Sequence, residues 1–284
     1  MKTLGIDTSN YTTSAAVYSE ANVESVQLPL PVPSGELGLR QSDAVFHHVK
    51  QLPEALRQLD LSGVQSIGVS TRPRAVEGSY MPCFLAGESA ARMLGQALGV
   101  PVESFSHQQG HLAAAALGSG HTELLDGKFL AWHVSGGTTE LLLVNKLEAE
   151  IIGGTTDLCA GQLIDRVGKM LGLPFPSGKA LEEIAETRRV KIKNIGLKFS
   201  LSGYENRART IESNAAGYIL SVIFENIKNA TDAAKAIYDL PVLCSGGVMS
   251  NKYIQSNLDA YFAPPDYSRD NAVGVAYLAY RGAQ

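Results

Sequence analysis

Cysteine is scarce in this chain and never clustered. Cys83, Cys159 and Cys244 are odd in number and far apart. They make neither a disulfide framework nor a Cys-x-x-Cys pair, which fits a reducing compartment. Charge is sparse as well. Only 18% of residues are charged and the net charge is −4, which argues against a chain whose whole surface binds nucleic acid and leaves room only for a local basic patch. No apolar run approaches a membrane-spanning length, and no basic-then-apolar segment precedes the first strand. Low-complexity tracts and long linkers are missing too. The expectation is a soluble, cytoplasmic protein with no membrane partner.

Apolar residues are plentiful. At 284 residues and 45% hydrophobic content, the chain can bury one large core or two of ordinary size. Two stretches align without a gap. Residues 4–18 read LGIDTSNYTTSAAVY and residues 130–144 read LAWHVSGGTTELLLV. Leu4 falls on Leu130, Ser9 on Ser135, Thr12 on Thr138 and Thr13 on Thr139. Each copy is an apolar strand, a run of Ser, Thr, Asn or Gly, and a second apolar strand. Hydroxyls and backbone N–H groups in such turns form anion nests, though Ser/Thr/Gly turns are also common without a ligand.

The first copy continues as a third strand (23–28), a Pro/Gly-rich loop (29–38), a helix (43–59), a strand (64–70), a helix (85–98), a strand (100–105) and a helix from His107. The second copy continues with strands 140–145 and 148–152, then helices near 162–171 and 180–186. An irregular segment (192–203) leads to a long helical stretch (211–238). A strand (242–244), a helix near 251–258 and a last helix (271–281) complete the chain. Three strands followed by alternating helices and strands, twice over, predict an α/β protein of two related lobes. The predicted boundaries are 1–124 plus 268–284 for the N-terminal lobe and 125–267 for the C-terminal lobe. The ligand is expected in a cleft between the lobes.

Four motifs could carry chemistry. In HQQGH, His107 and His111 are four apart, so on a helix both imidazoles share a face and can address one metal ion. Asp270, before the last helix, is a candidate third ligand, and His133, at a strand end, is another. Gln108 stands where a zinc protease needs its glutamate base, so a protease reading has no base. The turn Val134-Ser135-Gly136-Gly137-Thr138-Thr139 lets backbone approach a phosphate. Gly246 and Gly247, followed by Asn251, make an adenosine platform where side chains would clash. Asp165, on a helix, can accept from two ribose hydroxyls. A basic run, Arg188-Arg189-Val190-Lys191-Ile192-Lys193, reads as a solvated loop or as a contact for RNA or a partner.

Taken together and in order, these motifs resemble the tRNA threonylcarbamoyladenosine transferases, once labelled O-sialoglycoprotein endopeptidases. The resemblance covers nearly the whole chain. It rests on His107/His111, on the strand and SGG turn at His133–Gly137, and on Gly161–Arg166. It extends to Phe175-Pro176-Ser177-Gly178, to Phe199–Gly203, to Gly246–Asn251, and to Asp270-Asn271. The implied fold is a duplicated RNase H-like, actin/hexokinase/Hsp70-type ATPase fold, two-lobed with a central nucleotide cleft. The implied metal ligands are His107, His111 and Asp270, with His133 where some members place a tyrosine. His133, Val134, Ser135, Gly136, Gly137 and Thr138 would cradle the phosphate or acyl group. Asp165, Gly178, Gly246, Gly247 and Asn251 would hold ribose and adenine. Asp7, Ser9 and Thr12 occupy the catalytic first turn.

The implied cofactors are one divalent metal (iron or zinc, or magnesium with ATP) and ATP, AMP or threonylcarbamoyl-AMP. The implied partners are tRNA and accessory subunits or a second copy. The chain departs from the family where acids at the first turn have become Tyr11 and Thr12. Arg72-Pro73-Arg74 replaces a GPG turn, Gln109 replaces the acid between the histidines, and Thr138 follows SGG. These departures and the short length mark a divergent paralogue. They keep open a small-molecule kinase or ATPase of the same fold, and a non-catalytic nucleotide-binding subunit.

Overall fold

The protein is described by a computed structural model covering residues 1–9, 11–32, 39–186, 188–192, 196–211, 213–268 and 272–283. Asp270 and Asn271, Lys193 and most of the loop at 29–38 therefore lie outside the described residues. The chain divides into two compact units, Met1–Thr122 with Arg269–Gln284, and Glu123–Ser268.

The first unit opens with an antiparallel meander of β1 (Lys2–Asp7), β2 (Thr12–Ser19) and β3 (Val23–Pro29). Helix α1 (Gln41–Arg57) leads to β4 (Ser66–Arg72), parallel to β1. Helix α2 (Phe84–Leu98) leads to β5 (Val102–Ser106), parallel to β4, and α3 (His107–Ser119) follows directly. The sheet order is β3-β2-β1-β4-β5. Leu4, Ile6, Ala15, Val17, Ile67 and Val69 fill the core on one face.

The second unit repeats the plan. It holds a meander of β6 (Lys128–Val134), β7 (Thr139–Asn145) and β8 (Glu148–Thr155), then α4 (Ala160–Met170) and α5 (Gly178–Ile184). The short β9 (Lys198–Phe199), α6 (Ser202–Ala208) and the long α7 (Ala215–Tyr238) come next. Strand β10 (Val242–Ser245), α8 (Lys252–Asn257) and β11 (Tyr261–Phe262) finish it, and the sheet order is β11-β10-β6-β7-β8-β9. Trp132 lies at the centre of this core, fully buried, with its indole N–H donating to Thr231 Oγ1 at 2.8 Å. The long α7 is buried along most of its length because Ile219, Ile223 and Ile227 recur at helical spacing.

The repeat extends to register. Leu4 pairs with Val17 in β1–β2, and Leu130 with Leu143 in β6–β7. Asp7 pairs with Ser14, and His133 with Glu140. The ungapped sequence alignment is therefore an alignment of hydrogen-bonded partners.

The last helix, α9 (Val273–Gly282), returns to the first unit and packs on β1 and β4. It sits so close that a methyl on Gly68 would lie 2.1 Å from the Val275 carbonyl oxygen. A bare backbone is the only surface this strand can offer there.

Two local expectations fail. Residues 192–203 read as irregular, yet Lys198–Phe199 adds a strand beside β8, and α6 begins at Ser202. The α6 sequence SGYENRA is polar and carries no helical stripe. The long helix begins at Ala215 rather than Ile211, because Asn214 takes a left-handed conformation and caps it by accepting from Gly217 N–H at 2.9 Å. Among the described residues no helix is long and apolar enough to cross a membrane.

Candidate functional site

In the first unit the site starts at the end of β1. Asp7 is 1% exposed there and makes three contacts. Oδ1 accepts from the Ser9 N–H at 2.8 Å, and Oδ2 accepts from Ser70 Oγ at 2.6 Å and from His107 Nδ1 at 2.8 Å. Ser70 comes from β4. His107 opens α3, whose start is fixed by a capping box between Ser106 and Gln109. Burial pushes the Asp7 carboxyl up. The charge of His107 and hydrogen bonds from His107, Ser70 and Ser9 outweigh it and bring the group down to about 2.

His107 and His111 share one face of α3. Their rings are 4.2 Å apart at centroids, and the two Nε2 atoms are 2.8 Å apart. The Asp7 carboxylate holds a proton on His107 Nδ1 and leaves Nε2 as the outward-facing nitrogen, the arrangement that orients metal-ligating histidines. Two converging imidazole nitrogens suit zinc or iron, so this pair fits a metal as two of its ligands. Among the described residues no third His, Cys, Asp or Glu completes a metal-binding group. Asp270, the expected third ligand, lies outside those residues.

Two other hydroxyls near the first turn tie it to neighbouring elements. Thr8 Oγ1 donates to the Cys83 carbonyl and accepts from Gly87 N–H, tying the turn to the start of α2. Thr13 Oγ1 lies 2.8 Å from His48 Nδ1 and 2.8 Å from Gln51 Oε1. Thr12 N–H donates to the Ser9 carbonyl at 3.3 Å, closing the hairpin. Ser9 is 1% exposed.

In the second unit the corresponding turn is open. His133, half-buried, meets Ser245 Oγ through Nδ1 at 3.2 Å. Val134 is buried, while Gly136 and Gly137 are exposed, with nothing within 4 Å of where a Cβ would sit. Ser135 N–H donates to the Thr138 carbonyl at 2.8 Å and shapes the turn. The first turn of α4 packs onto it. Ala160 N–H donates to Thr139 Oγ1 and Gly161 N–H to the Ser135 carbonyl. Gly246 has φ of 97°, and a Cβ there would lie 2.2 Å from the Val134 carbonyl oxygen. The neighbouring Gly247 meets nothing within 4 Å.

The nucleoside candidates separate into two groups. Asp165 accepts from Ser177 N–H at 2.8 Å, so one of its oxygens secures the loop before Gly178. Asn251 caps α8 by accepting from Ile254 N–H at 3.1 Å and also lines a pocket of about 320 Å³. The other walls are Glu182, Ala185, Glu186, Gly217, Leu220, Ser221 and Tyr253. Asp165 and Gly178 are not among the walls. Glu182 escaped the sequence reading, although it lies four residues beyond Gly178 on α5, where helical spacing puts it on the same face. Its Oε1 accepts from the Lys252 N–H at 2.8 Å, joining α5 to α8.

Known proteins resemble the chain at two levels. Residues 41–277 match the family model for TsaD, the tRNA N6-adenosine threonylcarbamoyltransferase. The tRNA N6-adenosine threonylcarbamoyltransferase of Aromatoleum aromaticum is 28% identical, over 98% of this chain and 90% of its own. That of Methanopyrus kandleri is 26% identical, over 90% and 79%. Among solved structures, component A of (R)-2-hydroxyglutaryl-CoA dehydratase from Acidaminococcus fermentans superposes with a TM-score of 0.56 at 12% identity, covering 100% and 99% of the two chains. A ROK hexokinase from Thermus thermophilus gives 0.55 at 16% identity, covering all of both. At such identities the likeness concerns the fold alone, that of the actin-like and sugar-kinase-like ATPases.

Proposed function

The chain belongs to the tRNA N6-adenosine threonylcarbamoyltransferase family and is a transferase of that type, and from this we propose a specific reaction and a specific site. The donor is threonylcarbamoyl-AMP, and the acceptor is the N6 amine of the adenosine 3′ of the tRNA anticodon. The amine forms a bond to the carbamoyl carbon, the bond from that carbon to the phosphate oxygen breaks, AMP leaves, and the amine loses a proton. His107 and His111 hold one divalent metal, iron or zinc, with Asp270 as third ligand. Bound there, the metal supplies Lewis acidity toward the donor's carbonyl or phosphate.

Asp7 supports this as a positioning residue rather than a base. It is ionised at neutral pH, sealed from solvent, and committed to His107, Ser70 and Ser9. The same commitment weakens a kinase or ATPase reading, in which Asp7 would have to be the base. Ser9 and Thr12 close the hairpin that carries Asp7. The open Ser135–Thr138 turn receives phosphate through its backbone, with His133 beside it. The pocket lined by Asn251 and Glu182 receives adenine, and Asp165, Gly178, Gly246 and Gly247 shape its approach. The three free cysteines are consistent with cytoplasmic placement.

The observation that carries the proposal is the approach of the two Nε2 atoms with the Asp7 carboxylate behind them. The test is metal content and transfer to an unmodified tRNA. His107→Ala should strip the metal, measured by elemental analysis, and lower transfer by about 10³-fold or more, a loss of about 4 kcal/mol. Metal retained at full stoichiometry in that variant sinks the assignment.

A further inference from the structure

Among the described residues the buried hydroxyl of Tyr218 has no hydrogen-bond partner. Tyr218 is on the first turns of α7 and only 3% exposed. Leaving such a group unsatisfied costs folding free energy, and it calls for an explanation when the rest of the ring is well packed. Tyr218 packs against Tyr204 of α6, with ring centroids 6.4 Å apart. Two guanidinium groups lie over its ring, Arg188 at 5.7 Å and Arg207 at 5.9 Å from the centroid.

Both arginines are exposed. Among the described residues neither pairs with a carboxylate. The nearby acid Glu205 is already committed to Arg166 and Arg209, at 2.9 Å each. Arg189 and Lys191 extend the positive charge beside Arg188. The segment bearing Arg188 is anchored to α7 by Asn214, which accepts from Glu186 N–H and donates to the Glu186 carbonyl. Two guanidiniums that no described carboxylate neutralises are thus held over an aromatic ring whose own donor no described residue uses. In a chain of net charge −4, this concentration of cations is local.

We infer that Arg188, Arg207 and the Tyr218 hydroxyl form a binding site for a backbone phosphate of the RNA substrate. An arginine fork suits phosphate oxygens, and the Tyr218 phenol is a further donor that no described residue uses. The inference rests on the transferase reading only in taking tRNA as the polyanion. The site contacts the backbone, so it positions the substrate without reading its sequence.

The test uses the full chain and an unmodified tRNA transcript, with affinity measured across a salt series. Arg188→Gln and Arg207→Gln should each reduce the salt slope by about 0.7 to 0.9, and the double variant should bind tRNA about tenfold more weakly at low salt. Tyr218→Phe should weaken binding about threefold while its thermal midpoint holds or rises, since the orphan donor is gone. A purely structural role would move neither the affinity nor the salt slope. ATP affinity should be unchanged in all of these variants. A double variant with wild-type tRNA affinity and salt slope overturns the inference. So does a result in which only competition by inorganic phosphate changes, which would make it a free-anion site. A chain that binds tRNA through these arginines yet transfers nothing would defeat the transferase reading and leave this site standing.

Discussion

The two hairpin turns, 7–14 in the first unit and 133–140 in the second, share a register and differ in almost everything else. Asp7, the last residue of β1, and His133, the last but one of β6, occupy equivalent positions, and each meets a serine from the neighbouring parallel strand, Ser70 and Ser245. In the first turn Asp7, Thr8, Ser9, Thr13 and Ser14 are all buried, and Asp7, Thr8 and Thr13 are tied to other elements. In the second turn Gly136 and Gly137 face solvent and their Cβ positions are empty. Duplication fixed the backbone frame and left the side chains free to specialise. One copy became a support bonded to the His107 imidazole of α3. The other became a bare backbone surface suited to an anion. Hydrogen bonds spent inside a turn make it stiff, and those left unspent make it receptive.

The largest expected effect tests the backbone difference between the copies. After Ser70, β4 runs on through Thr71 and Arg72, whereas after Ser245 the chain breaks at Gly246 with φ of 97°. Gly246→Ala puts a methyl 2.2 Å from the Val134 carbonyl oxygen in a conformation that only glycine adopts comfortably. It should cost about 3 kcal/mol or more in denaturant unfolding. Gly136→Ala fills open space and should stay within about 0.5 kcal/mol, yet weaken adenine-nucleotide binding. Equal stability losses in the two variants would remove the distinction between a structural glycine and a receptive one.

The next effect concerns the strand-end groups. Asp7→Asn keeps the shape but removes the charge that holds the His107 Nδ1 proton. Metal affinity should fall about 10- to 100-fold, as expected for the group behind a ligating histidine. His133→Asn, at the equivalent position, should leave metal affinity within about twofold if His107, His111 and Asp270 suffice. Competition with a chromophoric chelator reads both. A larger loss for His133→Asn than for Asp7→Asn would make His133 a ligand and reverse the roles of the two turns.

The sequence made the repeat legible because strand pairing preserves spacing, so an ungapped alignment of 4–18 on 130–144 is also an alignment of hydrogen-bonded partners. The His107/His111 pair was legible because helical spacing is local. The commitment of Asp7 was not. Its partners Ser70 and His107 are 63 and 100 residues away, and nothing in a first-turn aspartate distinguishes a support from a base. Glu182 stayed hidden for a similar reason. Its place in the pocket depends on α5, α7 and α8 meeting, which no local pattern encodes. Helix α6 was invisible because its residues are mostly polar and its packing is set by α7.

The smallest effect concerns a turn in the second unit where hydrogen bonds are spent as freely as around Asp7, but at the surface. Asp157, between β8 and α4, accepts from Leu158 N–H at 2.6 Å, Leu201 N–H at 2.8 Å, Ser202 Oγ at 2.6 Å and Ser200 Oγ. It thereby pins the loop between β9 and α6. The little burial it has pushes its carboxyl up, and the bonds from Ser200, Ser202, Leu201 and Leu158 pull it well below the usual carboxylate range. A carboxyl lowered by folding adds stability above its unfolded value, near 4, and that stability drains away as pH falls through the folded value. Because Asp157 is exposed, water screens much of the gain. Asp157→Asn should therefore cost only about 1 kcal/mol at pH 7. The gap from wild type should narrow steadily below about pH 4. Asp7, sealed and bonded to His107, provides the contrast, and its variant should keep a larger deficit at pH 7. Urea midpoints at pH 7 and pH 3 decide the matter. A gap for Asp157→Asn that widens on acidification would mean that its shape, and not its charge, holds the loop.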